Sequence, residues 1–224
     1  MDFIFMLTRN DATASNALEL VEAARPLGLK FIGFKDIGAD AETLRRLTQA
    51  IREAGASPCM EIVATSRAAE LDAVALGRHL GVDTLMGGVH VEAALELLAG
   101  SGIAYLPFSG FPRGHPTVLD GPPDAVEAQC RAFLTQGCAG TDLLAYRATQ
   151  APPLELIAAA RRGLGQTGKL VVAGSIDGRE RIRAIVAAGA DAFTVGSAVL
   201  DGSYAPGAGA LAAQLAAVLA DCGG

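Results

Sequence analysis

Short apolar runs that end in glycine or polar residues alternate with longer stretches in which apolar residues recur three and four positions apart, from one end of the chain to the other. The runs are Phe3–Leu7, Phe31–Phe34, Pro58–Val63, Thr84–Gly87, Ala104–Phe108, Leu143–Tyr146, Leu170–Ala173 and Ala192–Val195. Each is nearly all apolar, as strands covered on both faces are. The stretches between them include Ala41–Ala54, Arg67–Leu80, Val91–Ala99, Ala125–Gln136, Leu154–Leu164 and Arg179–Ala188. They carry their charges on one side and predict covering helices. Four helix-to-strand joints, starting at Gly28, Gly55, Gly81 and Gly189, put glycine where a helix C-cap takes a left-handed residue.

Eight repeated βα units with short joints predict a parallel sheet. The expected fold is a single (β/α)8 TIM barrel domain over residues 1–224, with a phosphate-binding site at the ends of strands seven and eight. A doubly wound open sheet is the alternative. One connection stands apart, the Gly- and Pro-rich segment from Ser109 to Pro123, long enough to be a lid, a binding loop or an ordered surface excursion.

Half of the residues are apolar, Trp is absent, and Ala and Gly are abundant, so the core is built from small and branched side chains. A net charge of −6 with no run of like charges offers no footprint for nucleic acid or an anionic membrane. The four cysteines, Cys59, Cys130, Cys138 and Cys222, lack C-x-x-C spacing and read as reduced. The apolar start is too short for a signal sequence or a membrane span, which makes the cytoplasm the expected compartment. An Ala-rich last helix, Ala208–Leu219, suits either barrel closure or the interface of a homo-oligomer.

Candidate chemistry is densest in the last two units. Ala173-Gly174-Ser175-Ile176 and Val195-Gly196-Ser197-Ala198 each end a strand in small residues, with the two glycines 22 positions apart. Missing side-chain bulk lets backbone N–H groups face a ligand, a short helix starting near Ser197 would add its positive end, and Ser175 and Ser197 offer hydroxyls. Gly174, Ser175, Gly196 and Ser197 are therefore the expected phosphate cup; the alternative is glycines that serve only tight joints.

The segment from Lys169 to Asp201 resembles the end of the ribulose-phosphate-binding barrels, the superfamily of the histidine- and tryptophan-pathway isomerases, ribulose-phosphate epimerase and the keto-gulonate phosphate enzymes. Those barrels end strand seven in a small-Gly-Gly-Ile-like turn and strand eight in Val-Gly-Ser/Thr/Arg-Ala. Here Ser175 replaces the second glycine. The resemblance implies the fold and a phosphate cup, and leaves the reaction open. The third strand lacks Asp-x-Lys-x-x-Asp, the sixth strand end has no Schiff-base lysine, and Asp11 lies four residues beyond the first apolar run.

The other strand ends supply Lys35, Glu61 and His90. A carboxylate inside the apolar run Pro58–Val63 is costly without a polar mouth or a partner, and a lysine on the neighbouring strand would be one. If all three face the mouth, Lys35 is a Schiff-base nucleophile or an electrophile for an enolate, with Glu61 and His90 as general base and acid. Otherwise Lys35 and Glu61 form a structural ion pair and His90 caps the next helix. Arg147, and Arg113 or His115 in the long loop, are candidate contacts to a second anionic group. Asp177 reads as a helix cap, and His79 as a surface residue. No His, Cys, Asp and Glu spacing suggests a metal, and no cofactor is expected, since the length leaves little room to cover a flavin. The expected function is a lyase of aldolase type or an isomerase of a small phosphorylated substrate; the alternative is a barrel that binds such a metabolite without turnover.

Overall fold

Eight parallel strands carry the alternation into three dimensions in the computed structural model, which describes residues 1–223. They are β1 (Asp2–Met6), β2 (Phe31–Lys35), β3 (Ser57–Ile62), β4 (Thr84–Gly87), β5 (Ala104–Leu106), β6 (Gly140–Leu143), β7 (Lys169–Val172) and β8 (Ala192–Val195). The hydrogen-bonded order runs β6-β7-β8-β1-β2-β3-β4-β5. The remaining seam closes through Ala139 N–H to the Tyr105 carbonyl (2.9 Å), Asp142 N–H to the Pro107 carbonyl (3.0 Å) and a bridge between Phe108 and Asp142. The result is a (β/α)8 barrel.

Helices α1 (Ala17–Ala24), α2 (Ala41–Glu53), α3 (Arg67–Leu80), α4 (Val91–Leu98), α5 (Pro123–Gln136), α6 (Pro153–Leu164), α7 (Arg179–Ala187), the short α8 (Ser197–Leu200) and α9 (Leu211–Cys222) cover the strands. Gly28, Gly55, Gly81 and Gly189 all hold positive φ, as the repeated joints require. The four cysteines are free. Among the described residues no helix is long and apolar enough to cross a membrane.

Successive strand side chains point to opposite faces, so register decides what fills the barrel. Ile4, Met6, Cys59, Met86, Leu106, Val171 and Ala192 form one inner cluster, while the other strand faces pack under the helices. Gly33 leaves the space that Met6 fills: a Cβ there would lie 2.4 Å from the Met6 sulfur. Two positions further along the same inward face come Lys35 on β2 and Glu61 on β3, side by side in register. The apolar filling therefore ends in charge at the C-terminal mouth.

The structure corrects two boundaries and one helix cap. The sixth strand is Gly140–Leu143 rather than Leu143–Tyr146, because the chain turns into a 3-10 helix at Ala145–Arg147. The last helix starts at Leu211, after a Gly- and Pro-containing stretch that cannot hold helical φ. Asp177 caps nothing: the N-cap of α7 is Gly178, and Asp177 pairs with Arg181 at 2.9 Å. The long loop forms a small antiparallel hairpin, Phe111–Arg113 with Val118–Asp120.

Two glycines test this packing. At Gly140 a Cβ would sit 1.9 Å from the Lys169 carbonyl oxygen, whereas at Gly28 it would meet nothing within 4 Å. Gly140→Ala is expected to cost about 3 kcal/mol or more in urea unfolding, from overpacking against backbone. Gly28→Ala should cost only the left-handed penalty, about 1 to 2 kcal/mol. Equal costs would show that β7 can shift to make room.

Candidate active site

Lys35 ends β2 and is 3% exposed, in the layer where the apolar filling stops. Its ammonium donates to Asp11 Oδ1 at 2.8 Å and to Glu61 Oε1 at 3.0 Å. Glu61 arrives by strand register. Asp11 arrives by a turn: Thr8–Arg9 pairs with Ala12–Thr13 around Asn10 and Asp11, whose φ values are +50° and +62°. Left-handed residues fold the chain back over the mouth, a conformation that Asn and Asp tolerate better than most. The Thr13 hydroxyl then donates to the Lys35 carbonyl and accepts from the Lys35 N–H, both at 2.8 Å.

Further donors surround Asp11. Arg147, from the turn after β6, reaches Asp11 Oδ1 at 3.1 Å, and the Thr117 N–H reaches Oδ2 at 3.1 Å. Burial alone would raise the Asp11 pKa, yet Lys35, Arg147 and the Thr117 amide together hold it well below the usual carboxylate range. Burial likewise disfavours the Lys35 ammonium, but Glu61 and Asp11 outweigh it and the net shift is upward. Lys35 is a held cation.

Asp142 completes the floor. It lies on β6 beside Val171 of the inner cluster, is fully buried, and neither carboxyl oxygen has a partner among the described residues. Burial first, and the neighbouring Glu61 charge second, push its pKa well up.

Above these groups opens a cavity of about 440 Å³. Lys35, Glu61, Asp11 and Arg147 line it together with Gly174, Ser175, Gly196 and Ser197. Gly174 has φ +78° and Ser175 φ +58°, so the serine adopts the left-handed conformation usual for glycine. A Cβ on Gly174 would lie 2.6 Å from Arg147 Nε, and one on Gly196 would lie 2.6 Å from Thr8 Oγ1. Both turns pass close to side chains of the mouth. Among the described residues no backbone acceptor is supplied to the N–H groups of Gly174, Ser175 or Ile176.

Of the residues singled out in the sequence, Lys35, Glu61, Arg147 and the four turn residues thus share one cavity. His90 does not join them. It faces a second cavity, with its Nδ1 2.8 Å from Glu70 Oε2. The left-handed pair Gly87 and Gly88 redirects the chain before it, and His90 occupies the N-cap position of α4 without a side-chain cap bond. Arg113 also lines that second cavity and pairs with Asp120; His115 stands 3.8 Å from Asp11. Asp36 accepts from the Val63 N–H outside the main cavity, and His79 is exposed on α3. Sequence reasoning gave Asp11 little weight and missed Asp142 and Glu70. A polar Gly140-Thr141-Asp142 leading into an apolar run was the available signal for Asp142.

No protein-family model and no curated protein matches the chain. Solved structures do. Orotidine 5'-phosphate decarboxylase from Pyrococcus horikoshii OT3 superposes with a TM-score of 0.67 at 16% identity, covering 99% of both chains. The native KDPGal structure gives 0.67 at 15% identity over 99% of this chain and 96% of that one. Thiamine phosphate pyrophosphorylase from Pyrococcus furiosus gives 0.62 at 15% identity over 98% and 96%. At such identities the likeness establishes the fold, that of the TIM barrels.

The ionisation of Asp142 can be read from stability. An unfolded aspartate ionises near pH 4, whereas the folded one stays protonated to higher pH, so its contribution to stability falls as pH rises above about 4. Asp142→Asn cannot ionise. Its unfolding free energy relative to wild type should therefore climb between pH 4 and 7, by up to about 1.4 kcal/mol per unit. A pH-independent difference in urea unfolding would mean that Asp142 is ionised in the fold.

Proposed function

We propose that this barrel is an enzyme of a small phosphorylated carbonyl compound and that it moves a proton next to the carbonyl through an enolate, as isomerases and enolate-type lyases do. The observation that carries this reading is one cavity lined by a twice-paired buried ammonium and by two small-residue turns, the first of which has amides without a backbone acceptor among the described residues. The phosphate would be held by the N–H groups around Gly174 and Ser175 and the turn at Gly196 and Ser197, with the two serine hydroxyls adding donors. Two of the similar folds carry phosphate compounds in their names, which supports the same ligand class.

Lys35 has three N–H donors, of which Asp11 and Glu61 take two. The third is free for a carbonyl oxygen. Glu61 would take the proton from the adjacent carbon as the C–H bond breaks; the electron pair moves onto the carbonyl oxygen, where the ammonium balances the new charge. Where the adjacent carbon bears a hydroxyl, returning that proton to the former carbonyl carbon, while the hydroxyl passes its own proton to the enolate oxygen, moves the carbonyl by one carbon and isomerises the substrate. Where Glu61 instead takes the proton of a β-hydroxyl, the carbon–carbon bond breaks, an aldehyde leaves, and the enolate that remains is protonated on carbon, which makes the reaction a lyase. A lysine held as ammonium is a poor imine nucleophile, so the geometry favours enolate over Schiff-base chemistry. Arg147 keeps donors free beside this group and would contact a second anionic substituent.

The test is proton exchange. A panel of phosphorylated aldoses and ketoses in D2O, followed by 1H NMR, should show enzyme-dependent loss of the signal next to the carbonyl for at least one member. Lys35→Met and Glu61→Gln should slow it by roughly 100-fold or more, the usual worth of such groups. Borohydride treatment with the same panel should leave the protein mass unchanged. A reduced adduct on Lys35 would replace the enolate reading with an imine, and binding without exchange across the panel would leave a barrel that only binds.

A further inference from the structure

On the side of the mouth away from the cup, the ends of β3 and β4 and the 109–123 loop enclose a second cavity of about 250 Å³. Its walls are largely apolar, formed by Ile62, Val63, Val89, Phe108 and Pro112. One imidazole is fixed in it. Glu70 on α3 is 2% exposed, and its carboxylate accepts the Val89 N–H at 2.8 Å, the His90 N–H at 2.7 Å and His90 Nδ1 at 2.8 Å. Gly88, with φ +74°, makes that approach possible: a Cβ there would lie 2.7 Å from Glu70 Oε1.

A carboxylate can only accept, so in the neutral ring Nδ1–H donates to Glu70 and Nε2 is left as an acceptor. A second polar group joins it. Thr117 lines the same cavity, is 5% exposed, and its hydroxyl has no partner among the described residues. The charges around the cavity are already matched, Glu70 by its three donors and Arg113 by Asp120. What remains is an apolar wall, the imidazole acceptor, the unpartnered Thr117 hydroxyl and, at the exposed edge, the Thr65 and Ser66 hydroxyls, a set of neutral groups that suits an uncharged molecule. The volume lies below the range of about 300 to 1,000 Å³ typical of larger ligands, so a single ring fits better than a fused system.

We propose that this cavity binds a small uncharged, hydroxylated ring, a phenol in chemical class, whose O–H donates to His90 Nε2 and whose oxygen accepts from the Thr117 hydroxyl. The site stands apart from the phosphate cup and does not depend on it.

Three histidines make the test direct, since His79, His90 and His115 give only three ring signals. Titration with 4-methylphenol, followed by 1H–13C NMR, should shift the His90 signal to saturation and leave His79 in place. Toluene, the same body without the hydroxyl, should bind at least tenfold more weakly. Thr117→Val should weaken 4-methylphenol by about two- to tenfold, the span of one hydrogen bond, and His90→Phe should remove the preference over toluene, each with an unchanged far-UV CD spectrum. Adding inorganic phosphate should leave the His90 titration as it was, so failure of the cup would not be mistaken for failure of this site. Equal binding of 4-methylphenol and toluene, or a shift that rises linearly and is shared by His79, would overturn the proposal.

Discussion

The mouth of this barrel depends on one buried ammonium. Taking Lys35 out of water carries a penalty of several kcal/mol that only well-placed partners offset. Those partners come from segments that are remote in sequence. Glu61 is delivered by β3, Asp11 by the turn after β1, and Asp11 in turn gathers Arg147 from beyond β6 and the Thr117 amide from the long loop. Three connections that a bare barrel would leave independent are thereby tied to one point. Removing one partner would leave a buried charge unmatched, so the ion cluster supports the loops as much as any chemistry.

Charge matching also explains the protonation pattern. Lys35 and Arg147 balance Asp11 and Glu61, and the cluster is neutral without a fifth ion. Asp142 is that fifth group. Fully buried and lacking any hydrogen-bond donor among the described residues, it is stable in the fold as the neutral acid, and its raised pKa follows from burial and from Glu61. The same balance keeps Lys35 charged. A free amine would need both carboxylates to lose their partner in a site nearly closed to water, and this supports the enolate over the imine in the proposed reaction.

The sequence carried the scaffold well and the site unevenly, for physical reasons that differ by residue. Strand and helix alternation, and glycine at repeated joints, are local signals, and they located seven of the eight strands. Lys35 and Glu61 were legible because charge in an apolar run has to be matched somewhere. Asp11 was not, because its return to the mouth depends on two left-handed residues, Asn10 and Asp11, whose identity does not force that turn. Asp142 was lost when the apolar run Leu143–Tyr146 drew the expected strand three residues too late, past the polar start that in fact pairs with β7. His90 was offered either at the mouth or as the cap of the next helix, and it stands at the N-cap position and faces the second cavity. Two consecutive positive-φ glycines reset the direction of the chain there, and apolar periodicity carries no record of them.

Ser175 shows how the turn sequence and its conformation fit together. In the resembling barrels a glycine stands at that position, and a non-glycine residue there must accept left-handed backbone. The serine does so at φ +58°, directly after Gly174 at +78°. The cost is of order 1 to 2 kcal/mol for an L-residue, which the fold tolerates while leaving the adjoining amides unpaired. Two consecutive left-handed residues with free N–H groups form a concave set of donors. That a serine holds this geometry argues that the shape of the turn, rather than the presence of glycine for its own sake, is what the end of β7 provides.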